Sequence, residues 1–186
     1  MAYTEIDKPT DYFNTKLYAG NGGTQSITGV GFQPDWVWIK NRPDTRDHQI
    51  YDSVRGATKV IGSDRTSEEA TVSNGLTAFG SDGFTVGSDA NVNDSSDSHV
   101  SWNWLAGGTA SSNTDGSITS TVSANTTAGF SIVKYTGTGS VATVGHGLGS
   151  EPQWIMVKSY SGLGDRWFVY HKSTGNTGST FLNLTN

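Results

Sequence analysis

The chain has 186 residues and a formal charge of −5, length enough for one large domain or two small ones. Its charges are dispersed with no basic stripe, which argues against a nucleic-acid partner, and it has no cysteine for a disulfide framework or a thiolate metal site. Hydrophobic residues make up only 33% and glycine fills 24 positions, yet 6 Trp, 7 Tyr and 7 Phe bring enough buried area to organise a core, which argues against disorder.

In chain order, residues 1–10 read as an N-terminal arm. The start has no basic region followed by an apolar one, so no secretory signal is expected, and no run approaches membrane-spanning length, so no membrane insertion is expected. Short runs of β-branched and aromatic residues, bounded by Gly, Asn, Asp or Pro, predict strands over 14–19, 25–28, 36–41, 49–53, 58–61, 76–79, 84–87 and 99–105. The helical signal lies over 64–72, where Thr66-Ser67-Glu68-Glu69 has capping-box spacing ahead of Ala70. In Trp36-Val37-Trp38-Ile39-Lys40 both alternating sets are largely apolar, as in a strand covered on both sides. Val100-Ser101-Trp102-Asn103-Trp104 alternates strictly, with one face packed and one in solvent. Residues 108–127 are rich in Gly, Ser and Thr and read as a linker or β-arm, with a hairpin around 118–122. Further strands are expected over 130–136, 141–144, 154–159, 167–171 and 180–185.

The later strands repeat the earlier ones. Tyr18-Ala19-Gly20-Asn21-Gly22 recurs as Tyr135-Thr136-Gly137-Thr138-Gly139. Gly29-Val30-Gly31-Phe32 followed by Pro34-Asp35-Trp36-Val37-Trp38-Ile39-Lys40 is answered by Gly145-His146-Gly147-Leu148 followed by Pro152-Gln153-Trp154-Ile155-Met156-Val157-Lys158. His48-Gln49-Ile50-Tyr51, with Gly56 beyond, is answered by Trp167-Phe168-Val169-Tyr170, with Gly175 beyond. The expected fold is all-β, with two related β-sandwich units of jelly-roll or lectin-like type over 11–107 and 128–186, the second incomplete. Trp36 and Trp154 share one repeat position in apolar runs, so both are expected in the cores of superposable units. The second unit stops before any equivalent of 84–104. Its edges, around 167–170 and 181–184, are therefore expected to pair with another chain or with further sequence.

Candidate chemistry is sparse. Asp89, Asn91 and Asn93 place oxygen ligands at alternate positions, as a calcium loop does. Asp94 stands where such a loop needs glycine and Val100 where it needs an acid, so a tight turn is the preferred reading. Asp35, Asp44, Asp47, Asp52 and Asp82 are candidates for a glycosidase carboxylate pair, but each sits among turn residues. His48, His99, His146 and His171 have no metal-ligand spacing. Neither a catalytic residue nor a cofactor site is expected. The tryptophans suit a core better than a sugar-stacking surface. Recognition is placed on loop residues Asn41, Arg42, Asp44, Arg46 and Tyr160, because loops carry function on rigid β scaffolds.

Several ordered motifs also resemble a known family: Tyr18-x-Gly20-Asn21-Gly22, Phe32-Gln33-Pro34-Asp35-Trp36-Val37-Trp38-Ile39-Lys40-Asn41, Asp52-Ser53-Val54-Arg55-Gly56-Ala57-Thr58-Lys59, Asp82-Gly83-Phe84 and Val100-x-Trp102-Asn103-Trp104. With the restart at Gly129-Phe130-Ser131-Ile132-Val133, they are similar to the tail-fibre-like and virion structural proteins of tailed, often marine, bacteriophages. That resemblance implies a β-sandwich repeat protein of the virion, made in the host cytoplasm, a structural component rather than an enzyme. Its expected role is assembly and host-surface adhesion as a tail fibre or surface appendage. The expected partners are copies of itself, other virion proteins and a host-surface glycan. Capsid decoration, or a polysaccharide-binding or depolymerising module, is the alternative.

Overall fold

The computed structural model describes residues 6–162, 164–177 and 180–184, so the first five residues of the expected arm and the last residue of the strand expected over 180–185 lie outside it. A 3-10 turn, Pro9–Asp11, leads into β1 (Phe13–Ala19), β2 (Gln25–Thr28), β3 (Trp36–Asn41), β4 (Gln49–Asp52), β5 (Lys59–Val60) and β6 (Ala70–Thr71). Then come β7 (Leu76–Gly80), β8 (Gly83–Val86), the single helical turn α1 (Ala90–Asn93) and β9 (Ser98–Trp104). The remainder forms β10 (Ser111–Asn113), β11 (Ser120–Asn125), β12 (Phe130–Tyr135), β13 (Trp154–Val157), β14 (Phe168–His171) and β15 (Thr180–Phe181). The protein is all-β, and its ladders are antiparallel.

Two sheets, ordered β1-β9-β3-β4 and β2-β8-β7, enclose the main core. The first contributes Val37, Ile39 and Tyr51, the second Ile27, Leu76, Phe84 and Val86, and α1 adds Val92. Alternation along β3 sends Val37 and Ile39 inward and leaves Trp36 and Trp38 half-buried on the opposite face. Burying each aliphatic or Phe side chain stabilises the fold by about 1.5–3 kcal/mol, so these few positions carry most of the first body. The turn between β7 and β8 depends on Asp82-Gly83. The Asp82 carboxylate accepts from Gly29 N (2.9 Å) and Gly31 N (2.7 Å). Gly83 has φ 146°, and a Cβ there would strike the Ile27 carbonyl.

The C-terminal half adds sheets β10-β11-β12 and β13-β14-β15. The stretch 108–127 is thus largely structured, since β10 and β11 form a hairpin that continues onto β12. Repeat-related residues pair alike in the two halves. Val37 faces Tyr51 as Ile155 faces Tyr170, and the Ile50–Ile61 bridge is matched by Val169 opposite Thr180. The turn glycines Gly56 and Gly175 both take positive φ. A second core cluster of Ile50, Ile61 and Trp167, with Trp36, Trp38, Met156 and Tyr160 against it, joins the C-terminal hairpin to the first body.

Four expectations are corrected. No helix forms over 64–72: Ala70 and Thr71 form β6 opposite β5, and Glu69 is drawn to Arg55 (3.1 Å) rather than back to a cap. The segment 141–144 makes only a bridge from Val144 to Ile118. Its repeat counterpart, β2, is a strand because β8 pairs with it. On β9 the aromatic set is not the deeper one: His99, Ser101 and Asn103 are buried while Trp102 and Trp104 are half-buried. Asn103 Nδ2 donates there to Ser101 Oγ (3.1 Å) and to the Asn14 carbonyl (3.0 Å), while its buried Oδ1 has no partner among the described residues, and the indoles lie on the outer face. Finally, Trp154 is 51% exposed rather than in a core. Trp36 at the same repeat position is half-buried, because Phe130 packs edge-on against it at 6.4 Å.

Candidate functional site

The recognition residues on the β3–β4 loop form one tightly bonded group. Asn41 ends β3 fully buried, donates to Asp97 Oδ2 (2.9 Å) and accepts from Asp44 N (3.1 Å). Lys40 Nζ donates to the carbonyls of Asn41 (2.6 Å) and Asp44 (2.7 Å). Arg46 spans Asp94 (2.5 Å) and Asp44 (3.1 Å). Arg42 is exposed, held through its backbone N–H on the Ser98 carbonyl (2.9 Å). The loop is therefore pre-organised, with Arg42 as its outward cation. Tyr160 belongs elsewhere: it packs against the Ile50–Ile61–Trp167 cluster, and its carbonyl accepts from Glu69 N (3.0 Å).

The calcium candidates are used internally. Asp89 caps α1, its Oδ1 accepting from Asn91 N (3.2 Å) and Asn91 Nδ2 (3.0 Å). Asn93 is fully buried. Its Nδ2 donates to Asn21 Oδ1 (3.0 Å) and to the carbonyls of Gly23 (2.6 Å) and Gly87 (2.8 Å), and its Oδ1 accepts from Asn21 N (3.0 Å). An amide that presents its nitrogen to three oxygens has turned the wrong way to ligate a cation. Among the described residues, no three His, Asp or Glu side chains gather as a metal site would require.

Each candidate carboxylate likewise has a structural partner. Asp35, fully buried, accepts from Ser53 Oγ (2.8 Å), Ala106 N (2.8 Å) and Gly108 N (3.2 Å). Asp52 holds the buried Arg55 (2.5 Å), and Asp47 holds Arg65 (2.6 Å). The amides of Gly31 and Gly29 hold the Asp82 carboxyl below the usual carboxylate range.

The outer face of β13–β14 carries exposed apolar side chains. Ile155 (39%), Val157 (38%) and Phe168 (44%) are exposed side by side, and Pro152, Tyr170 and Asn176 help them line a groove of about 540 Å³. The sequence repeat carried the signal for this face, since it says which residues in the first body the exposed ones match. The family model described as a domain of unknown function, DUF7483, matches residues 8–186. The chain belongs to that family. No curated protein and no solved structure matches it. In this DUF7483 domain, then, two surfaces stand out: the Asn41–Arg46 loop, rigid and polar, and the β13–β14 face, open and apolar.

Proposed function

We propose that the chain is a structural component of a phage virion, a tail-fibre or surface-appendage protein built from two related β-sandwich units and acting in assembly and host-surface adhesion. The observation that carries this reading is the repeat: the β3–β4 and β13–β14 hairpins share one register in a chain whose ordered motifs resemble tail-fibre-like proteins. The carboxylates support a non-catalytic role, because Asp35, Asp52 and Asp82 are spent on backbone and arginine partners. Many copies on a particle would raise a weak single-site affinity, so a shallow surface such as the Arg42 loop suffices for adhesion. Mass spectrometry and cryo-electron microscopy of purified particles test the reading. The chain is expected at a symmetric position with its Asn41–Arg46 loop facing outward, and purified chain is expected to slow adsorption to host cells. Absence from washed particles would overturn it. Release of reducing sugar from host polysaccharide, lost on replacing two of the carboxylates, would move the assignment to a depolymerising module.

A further inference from the structure

Three connections meet at one end of the first body, and a buried histidine lies beneath them. His99 pairs with Tyr18 on β1 and with Asn41 on β3, and its side chain is fully buried. Its ring stacks on that of Tyr18 with 5.1 Å between centroids. Nδ1 stands 3.1 Å from the Asp97 carbonyl, which can only accept, so Nδ1 carries the proton of the neutral ring. Nε2 is buried with no partner among the described residues; the Ala90 carbonyl of α1 favours a charged ring but makes no hydrogen bond with it. Asp97 also holds the connections together. Its carbonyl accepts from Gly20 N (2.8 Å) and its Oδ2 from Asn41 Nδ2 (2.9 Å). Ser96 takes φ 70°, left-handed backbone that serine keeps only under constraint, and its N–H donates to the Gly20 carbonyl (3.0 Å). Asp94, at the start of the same connection, holds Arg46 (2.5 Å). Around the ring, β1 gives the Tyr18 hydroxyl, kept protonated by burial and donated to the Val92 carbonyl (2.6 Å), and β3 gives the uncharged Asn41. The anions that favour a charged ring are Asp97 and then Asp94, both between α1 and β9.

We propose that His99 is a proton-operated latch on the Asn41–Arg46 loop: once protonated, its ring turns from Tyr18 towards the Asp97 carboxylate, which lets go of Asn41 and frees the 94–97 connection with the loops tied to it. A buried imidazolium with a bare N–H is costly, and the carboxylate that pulls on it most is the one that secures Asn41. Ser96 favours the release, because a freed connection lets it return to ordinary backbone. Burial favours the neutral ring, so the latch is closed at neutral pH and opens in mild acid, below about 6.5. The opening is local, since Val37, Ile39 and Phe84 hold the core without His99. The latch belongs to the first body and goes beyond the virion reading. Where that reading also holds, adhesion through the loop becomes acid-sensitive; where it fails, the latch still stands.

The test is an NMR titration of the full, isotopically labelled chain from about pH 7.5 to about pH 5. The amides of Gly20, Asn41, Ser96 and Asp97 are expected to shift with the same midpoint as the His99 ring carbons. Backbone order parameters over 41–46 and 94–97 are expected to fall from about 0.85 to below about 0.6, while those of Val37, Ile39 and Phe84 hold. His99→Gln keeps a donor for the Asp97 carbonyl and never charges, so its loop stays ordered throughout. His48→Gln, beyond the other end of the loop, leaves the transition in place. Loop amides that stay still while the His99 ring titrates overturn the proposal, as does a ring that does not titrate in this range. A transition that disappears in His48→Gln, or one that Val37 and Phe84 share, overturns it too, because the cause is then another histidine or unfolding of the whole body. The shared midpoint in the parent decides the matter even where His99→Gln fails to fold.

Discussion

At the residue scale, single polar side chains hold together backbone that no ladder reaches. Asp35 ties the start of β3 to the turn at Ser53 and to the exit from β9 at Ala106 and Gly108. Replacing it with alanine strands two amides and a hydroxyl, and each unsatisfied buried group costs about 1–3 kcal/mol. We expect Asp35→Ala to lose about 3 kcal/mol in urea unfolding and Asp35→Asn to lose less. At Asn93 the corresponding test is calcium. If Asn93 serves only the fold, saturating calcium leaves the melting temperature unchanged in the parent, while Asn93→Ala lowers it. Two histidines set a pH dependence. Burial pushes His99 and His48 below the usual imidazole value, opposed at His99 by the Asp97 carbonyl and carboxylate and at His48 by Asp64. His48 accepts the Trp38 indole N–H on Nδ1 (2.9 Å), and the buried Nε2 of His99 has no partner among the described residues. Since the folded state favours the neutral rings, their contribution is complete above the unfolded value, about 6.5, and is lost as pH falls from there towards the folded values. Urea midpoints measured between pH 7.5 and 5 should therefore fall with pH, and less steeply in His99→Phe, where only His48 of the pair remains.

At the scale of elements, the same local pattern meets different surroundings. Ile39 and Val157 share a repeat position, yet one is fully buried and the other 38% exposed. Ile39→Ala should cost about 2–5 kcal/mol and Val157→Ala less than about 0.5 kcal/mol in the isolated chain, a contrast read directly from paired urea curves. Strand positions were legible in the residues because β-branched and aromatic runs between turn residues survive almost any packing, as β1, β2, β3 and β14 show. The stretch 64–72 was not, since its capping-box spacing competes with ion pairs from Arg55 and Lys59 to Glu69 that sequence separation conceals. The stretch 141–144 has a strand's composition without a strand's partner, and composition alone does not supply one.

At the scale of the whole molecule, the two halves are joined by aromatic contact. Phe130 stacks on Trp104 at 6.1 Å, and Trp167 is 4% exposed with its indole N–H on the Gly62 carbonyl (2.7 Å). Lys158 adds a polar tie to the Thr66 carbonyl (2.8 Å), and burial lowers its affinity for a proton. Trp167→Ala should release the C-terminal hairpin while the first body keeps its own core. Limited proteolysis is expected to cut within 158–166 faster in the variant and to leave 13–104 intact. Equal resistance in parent and variant would show that the hairpin is held by something else.

By itself the sequence determined the all-β class and the places of most strands, because alternation, turn glycines and prolines act within a few residues. Of the recognition candidates, Asp44 and Arg46 pair on the β3–β4 loop, Asn41 ends β3 fully buried, Arg42 is exposed, and Tyr160 packs into the junction between the halves. Only the tertiary structure decided which face of each strand is covered. It buried Ser101 and Asn103 beneath the tryptophans of β9, spent Asp35 and Asn93 on distant backbone, and left Ile155, Val157 and Phe168 open where Val37 and Ile39 are closed. Burial depends on what lies across from a strand, and the residues that lie across are far away in the chain.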